Sequence, residues 1–269
     1  MPSAADLTPE NRFFGLFIGP SGSGKTVAEA SFPKPMEILD FDGRIRGLLG
    51  APWIDRSKIE YSFWPPRELG LVDRLNQKLE TMELAGRVGQ FLPKTLTLDS
   101  LTAETFAMVI QSLSLTHSLG AKDAPKSGKY IGRTPMAGPE DYGFEATNTY
   151  SILSYLRSIS IPNIIVSAHV VDRYGKLDPA DKYSESVVIG EKLSIRDKIG
   201  ENVQIYFDHV FRFWKEDYGD TEKFFVRFRG GLARTSYSEL PGGAVDITGK
   251  SLYEVMMGFI QKGKATADA

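Results

Sequence analysis

The stretch Phe13-Phe14-Gly15-Leu16-Phe17-Ile18, followed at once by Gly19-Pro20-Ser21-Gly22-Ser23-Gly24-Lys25-Thr26, decides how the rest of the chain is read. The first part is an apolar run of strand length, and the second satisfies the spacing G-x-x-x-x-G-K-[ST] of a phosphate-binding loop. The chemistry explains the spacing. Glycines let the main chain curl so that its N–H groups point inward at phosphate oxygens, and the start of a helix adds its own unpaired N–H groups. Lys25 would neutralise the β and γ oxygens of a nucleotide. Thr26 would place its hydroxyl on Mg²⁺, a cation that prefers oxygen ligands. Gly19, Pro20, Ser21, Gly22, Ser23, Gly24, Lys25 and Thr26 are therefore the candidate nucleotide contacts. A Gly/Ser-rich turn would match the letters by chance, but would not need a strand before it and a helix after it.

Outward from this loop, Phe32-Pro33-Lys34-Pro35 ends the helix begun at Lys25, because a proline disfavours helical geometry at the residue before it. Met36 to Asp42 reads as a second strand, broken at Gly43, and Ile59 to Trp64 as a short third. Leu69, Val72, Leu75, Leu79 and Met82 follow the three-four spacing of a helix with one buried face. Thr95 to Asp99 is the next strand and Ala103 to Leu115 the next helix. Tyr142 to Ile159 is a further helix and Asn163 to Ala168 a further strand. Val210 to Trp214 and Phe224 to Phe228 read as an antiparallel pair joined by a polar turn at Asp217 to Thr221. The alternation predicts an α/β fold: a mostly parallel sheet flanked by helices, with antiparallel C-terminal strands. Residues 117–139 and about 172–202 break the pattern and read as irregular, and the tail from Lys262 reads as frayed. One domain is expected, with its core over about residues 11–240 and a C-terminal helix and tail after it.

Composition narrows the function classes. The 269 residues are 42% hydrophobic, enough for a substantial buried core, and the formal net charge of -2 excludes a global cationic field. Any nucleic-acid contact must therefore be local. With no cysteine in the chain, disulfides, thiolate metal sites and cysteine nucleophiles are excluded. Met1 to Arg12 lacks the basic-then-apolar pattern of a signal peptide, and no apolar run approaches the roughly 20 residues of a membrane helix. The expectation is a cytoplasmic protein with no membrane partner.

Polar residues at strand ends supply the rest of the candidate site. Asp99 closes an apolar strand where a Walker B carboxylate would hold magnesium, together with Thr26. The alternative is a cap for the helix that follows. Asp40 and Asp42 end the second strand, and Asp42, nearer the exit, is the candidate general base; both also fit a solvated turn before Gly43. His169 follows Ile164 to Ala168 at the end where open α/β sheets bind ligands, so it is a candidate sensor of the γ-phosphate or a structural histidine.

The order of these pieces resembles the RecA-like ATPase core, and within it the small phage nucleotide-binding proteins of the Sak type, which act in single-strand annealing and recombination. The residues that carry the resemblance are the loop from Gly19 to Thr26, the break at Phe32-Pro33-Lys34-Pro35 and the acidic pair in Asp40-Phe41-Asp42-Gly43. Leu98-Asp99-Ser100-Leu101-Thr102, Glu140-Asp141-Tyr142-Gly143 and Ala168-His169 complete it. The resemblance implies Mg²⁺-dependent ATP hydrolysis with Asp42 as base and His169 coupling hydrolysis to a DNA-binding loop. Glutamate and glutamine are the usual RecA residues at those places.

Two loops are candidates for single-stranded DNA. Lys122, Lys126, Lys129, Tyr130 and Arg133 combine phosphate contact with a stacking ring, and Arg173 and Lys176 follow His169. Each also fits a solvated loop. Arg234, after a Gly230-Gly231 turn, and Arg229 are candidates for an arginine supplied to a neighbouring subunit's γ-phosphate. The partners implied are single-stranded DNA, further copies of the chain and a single-strand-binding protein. Helicase or packaging motors, a small-molecule kinase and a nucleotide-gated binding module remain alternatives on the same loop.

Overall fold

The computed structural model describes residues 12–68, 70–90, 92–118, 130–131, 134–135, 137–177 and 185–267. In chain order, β1 (Phe13–Gly19) leads through the glycine loop into α1 (Lys25–Glu29), then β2 (Met36–Asp40), β3 (Ile59–Phe63) and α2 (Leu71–Arg87). β4 (Thr95–Asp99), α3 (Leu101–Ser118), the two-residue strands β5 (Tyr130–Ile131) and β6 (Thr134–Pro135), and α4 (Pro139–Ser158) follow. β7 (Asn163–Lys176), β8 (Ser186–Leu193), α5 (Asp197–Val203), β9 (His209–Tyr218) and β10 (Thr221–Arg227) come next. β11 (Arg234–Thr235), β12 (Ala244–Asp246) and α6 (Leu252–Ala267) end the described chain.

The main sheet runs β12-β10-β9-β1-β7-β4-β2-β3, and every pair from β9 to β3 is parallel. β10, β11, β12 and β8 pair antiparallel. This is the fold class the alternating pattern calls for. β1 is buried at every position, as a central strand covered on both faces must be. Alternate residues face opposite layers. Phe14, Leu16 and Ile18 pack with Leu75, Met108, Ile152 and Val203 from the α2, α3, α4 and α5 side. Phe13 and Phe17 pack with Ala28, Phe211, Met256 and Ile260 from the α1 and α6 side.

Two stretches differ from expectation. Residues 172–202, read as irregular, contain the end of β7, all of β8 and most of α5. Asp172, Arg173 and Tyr174 are all exposed, as are Val188 and Ile189, so this hairpin stands clear of the core on both faces and carries no apolar alternation to read. The tail is also more ordered than expected. α6 runs on through Lys262 to Ala267, because Leu252, Met256 and Ile260 form a buried stripe at four-residue spacing that anchors it.

β7 is level with Gly19 at His169 and continues to Lys176, while β9 is level with Ile18 at Arg212 and continues to Tyr218. Two hairpins, β7/β8 and β9/β10, therefore rise past the carboxyl end of β1 on either side of it. Arg212 ties them together, its Nε donating to Glu191 Oε2 at 2.7 Å and its Nη2 to Glu191 Oε1.

His209 lies at the other end of β9, 1% exposed, stacked on Phe13 at 4.7 Å between ring centres and bonded through Nδ1 to Thr235 Oγ1. Burial pushes its pKa down from 6.5 to about 4. The unfolded chain therefore binds a proton between those values that the folded chain refuses, so stability falls as pH drops through that window. Unfolding free energy measured against pH should lose roughly 3 kcal/mol between neutrality and pH 4 from this residue, and His209→Gln should flatten that limb.

Candidate nucleotide site

β1 delivers Gly19 to the edge of the sheet, where a Cβ would lie 2.5 Å from the Phe213 carbonyl oxygen and 2.6 Å from Ser23 Oγ. Only glycine passes between them. Gly24 caps α1 in the left-handed region at φ 86, a conformation that costs other residues about 1 kcal/mol or more. The loop between them wraps a space, and buried Ser23 Oγ has no hydrogen-bond partner among the described residues. An acceptor-rich ligand would satisfy such an atom.

Lys25 is only 5% exposed. Its ammonium donates to the Gly19 and Pro20 carbonyls at 2.8 and 3.0 Å and lies 3.4 Å from His169 Nδ1. Burial lowers its pKa to about 8, against the opposing pull of Asp99, Glu29 and Asp42. Thr26 Oγ1 donates to Asp99 Oδ2 at 2.8 Å, and Ser167 Oγ donates to Asp99 Oδ1 at 2.5 Å. Burial raises the Asp99 carboxyl, and these two hydroxyls oppose the shift. The oxygens of Thr26 and Asp99 are of the hard type magnesium selects, so the residues present fit a nucleotide-bound Mg²⁺. Glu29, behind them at the end of α1, is wholly buried; burial and then the Asp99 charge push its carboxyl well above the usual range. Ser167 pulls the other way, but its hydroxyl is committed to Asp99.

The two acidic residues after β2 divide their roles. Asp40 turns inward and accepts the main-chain N–H groups of Gly43, Arg44 and Ile45 at 2.7, 3.3 and 3.2 Å, shaping the turn. Asp42 is left facing Lys25. Its Oδ2 meets His169 Nε2 at 2.7 Å and its Oδ1 accepts from Ser100 Oγ at 3.1 Å. Burial pushes the Asp42 carboxyl up, but the hydrogen bonds and charges around it, led by His169, hold it below its ordinary value. With Asp42 ionised, Nε2 carries the proton, and Nδ1 is left as an acceptor toward the Lys25 ammonium. Thr102 Oγ1 fixes the strand end by accepting the His169 N–H at 2.9 Å.

These groups line one cavity of about 310 Å³ together with Val27, Arg44 and Phe224. A larger hollow of about 680 Å³ near Lys34 and Lys250 holds no phosphate loop. The remaining sequence candidates lie elsewhere. Arg234 donates to the Gln204 and Phe207 carbonyls toward the start of β9, and Arg229 to the Tyr237 carbonyl, so neither enters this chain's cavity. Arg173 and Lys176 sit on β7, beyond His169. Tyr130 falls in β5, while Lys122, Lys126, Lys129 and Arg133 lie outside the described residues. Sequence reasoning missed Ser100, Ser167, Glu29, Arg44 and Phe224. Only Ser167, two residues before His169 on the same strand, carried a signal, since period-two alternation puts both on one face.

Glycine loop, Thr26–Asp99 pair and mostly parallel sheet together are those of the P-loop class of α/β proteins. No protein-family model matches the sequence, and no curated protein shows significant similarity to it. Among solved structures, a KaiC-like protein from Pyrococcus horikoshii is similar over 88% of this chain and 90% of its own, at 14% identity and a TM-score of 0.43. The flagellar accessory protein FlaH from Methanocaldococcus jannaschii is similar over the same shares, at 10% identity and a TM-score of 0.44. No helix among the described residues is long and apolar enough to cross a membrane, and no group of three or more of their His, Asp and Glu side chains is placed to hold a metal ion.

Replacing His169 removes the hydrogen bond that most lowers Asp42. His169→Ala should raise the Asp42 pKa, read by carboxyl-carbon NMR titration. An unchanged Asp42 titration would show that the pair at 2.7 Å is not formed in solution.

Proposed function

We propose that the chain binds Mg-ATP in the cup from Gly19 to Thr26 and hydrolyses it as a RecA-like ATPase acting on single-stranded DNA. The observation that carries the reading is the convergence on Lys25 of two pairs, Thr26 with Asp99 and Asp42 with His169, at one rim of the sheet. Thr26 and Asp99 would hold Mg²⁺, which shields the charge of the β and γ oxygens. Lys25 leaves its carbonyl partners for the same oxygens, exchanging two neutral acceptors for anionic ones. Asp42 orients the attacking water and takes its proton. His169 holds Asp42 in place and, freed from Lys25 at Nδ1, registers whether the γ-phosphate is there.

The nucleic-acid half of the proposal is supported by continuity. β7 runs without interruption from His169 to exposed Arg173, Tyr174 and Lys176, a cation-aromatic-cation group of the kind that grips a single strand. Work as a homo-oligomer is part of the same proposal, with a single-strand-binding protein as a further partner.

Asp42→Asn should lower phosphate release about 100-fold or more, the usual worth of a general base, while calorimetric Mg-ATP affinity stays within about threefold. Turnover that survives the substitution would remove Asp42 from the chemistry. Fluorescence anisotropy with an oligonucleotide, with and without ATP, tests the second half. Binding should weaken steeply with salt, and Arg173→Ala with Lys176→Ala should reduce its salt slope. Absence of salt-dependent binding in both states would end the DNA reading and leave the ATPase reading standing.

A further inference from the structure

The cavity around Lys25 is chemically lopsided. Asp42, Asp99 and His169 come from the turn after β2, from β4 and from β7 on one side of β1, and the ring of Phe224 comes from β10 on the other. The ring arrives there because β9 and β10 overshoot the sheet. Phe224 pairs with Lys215, three residues beyond Arg212, which is itself level with Ile18. A Cβ on Gly24 would meet the Phe224 ring at 3.0 Å, so the ring rests on the main chain at the start of α1.

The backbone that carries the ring is fixed at both its N–H and its carbonyl. Phe224 N–H donates to Thr248 Oγ1 at 2.8 Å, and its carbonyl accepts from Ile247 N–H at 2.9 Å. Part of the ring packs against the core on the α1 and α6 side, and the rest faces the cavity. A stacking surface is useful only when it is held in this way, because the ordering cost is then met on folding and not on binding.

A nucleotide whose β and γ phosphates lie on Lys25, with the γ end toward Asp42 and His169, has its α-phosphate and nucleoside on the Val27 side of the loop. Phe224 lies across β1 from the strands that deliver Asp42, Asp99 and His169, against Gly24. We infer that Phe224 is the nucleobase platform of this site, stacking on the base of a nucleoside triphosphate and taking adenine and guanine alike. The inference rests on the nucleotide reading above. Stacking on a phenyl face does not distinguish purines, since both present a π surface of similar size. Discrimination requires hydrogen bonds to the base edge. Gly24, on which the ring rests, has no side chain to offer one.

Calorimetry on the full chain with Mg-ATP, Mg-GTP and inorganic tripolyphosphate tests this. Wild type should bind ATP and GTP within about fivefold of each other. Phe224→Ala should weaken both by about 5- to 100-fold, the effect of removing one base-aromatic stack, and leave tripolyphosphate within about twofold. Phe224→Leu keeps an apolar side chain against Gly24 without the π face, and should show the same selective loss while melting near the wild-type temperature. Phe224→Trp should retain nucleoside affinity. Equal loss of tripolyphosphate and ATP in Phe224→Leu would make the ring a prop for the loop and overturn the inference. So would unchanged ATP affinity, or a wild-type preference for one purine above tenfold. Wild type that takes up none of the three ligands would instead sink the nucleotide reading itself, and this one with it.

Discussion

Burying the ammonium of Lys25 is the constraint on which the rest of the arrangement depends. An isolated buried ammonium is strongly disfavoured, so its hydrogens and its charge must both be met. The Gly19 and Pro20 carbonyls meet the hydrogens. The charge is met first by Asp99 and also by Asp42, which come from the end of β4 and the turn after β2. Parallel pairing is what brings those places together. Asp40 sits level with Asp99, and Gly19 with His169, so the carboxyl ends of four strands share one rim and their side chains can reach a single point. An antiparallel sheet would have sent alternate strand ends to the far side.

Much of this was legible because it follows from periodicity and from one specific spacing. The loop from Gly19 to Thr26 set β1 and α1, and the apolar runs before Asp40, Asp99 and His169 marked three further strands by their buried, two-sided character. Asp42 and His169 were named singly, as residues at strand ends. Their mutual contact was not legible, because which strands are neighbours depends on crossovers that no local pattern encodes. Ser100 was invisible for the same reason: a serine acquires meaning only from the carboxylate opposite it. Asp40 shows the reverse. Its sequence context equals that of Asp42, yet its oxygens are used up on the turn.

A part that reasoning from sequence left out is the β7/β8 hairpin, which rises above the sheet, whereas the β9/β10 pair was legible. Residues 172–176 and 186–193 carry charged and apolar side chains on both faces of a projecting hairpin, so no strand period survives in them. Glu29 is illegible in another way. A carboxyl in a short helix reads as a solvated residue, and only the packing of α1 against the sheet turns it into a buried group with a raised pKa.

Those projecting parts also explain how the rim becomes a site and not merely an edge. β7/β8 carries His169 at its base and β9/β10 carries Phe224 over Gly24, so the two hairpins contribute a polar and an apolar side chain to the same cavity. They are joined over β1 by the fork of Arg212 on Glu191, a bidentate pair that fixes orientation as well as distance. The Arg212 side chain is mostly buried, at 13% exposure, and burial strengthens such a pair relative to a surface one. Glu191 answers with a carboxyl held below its ordinary value by that bond. A shift of β7 that follows from a change at His169 must therefore either carry β9 with it or break the fork. The two walls of the cup are mechanically one element.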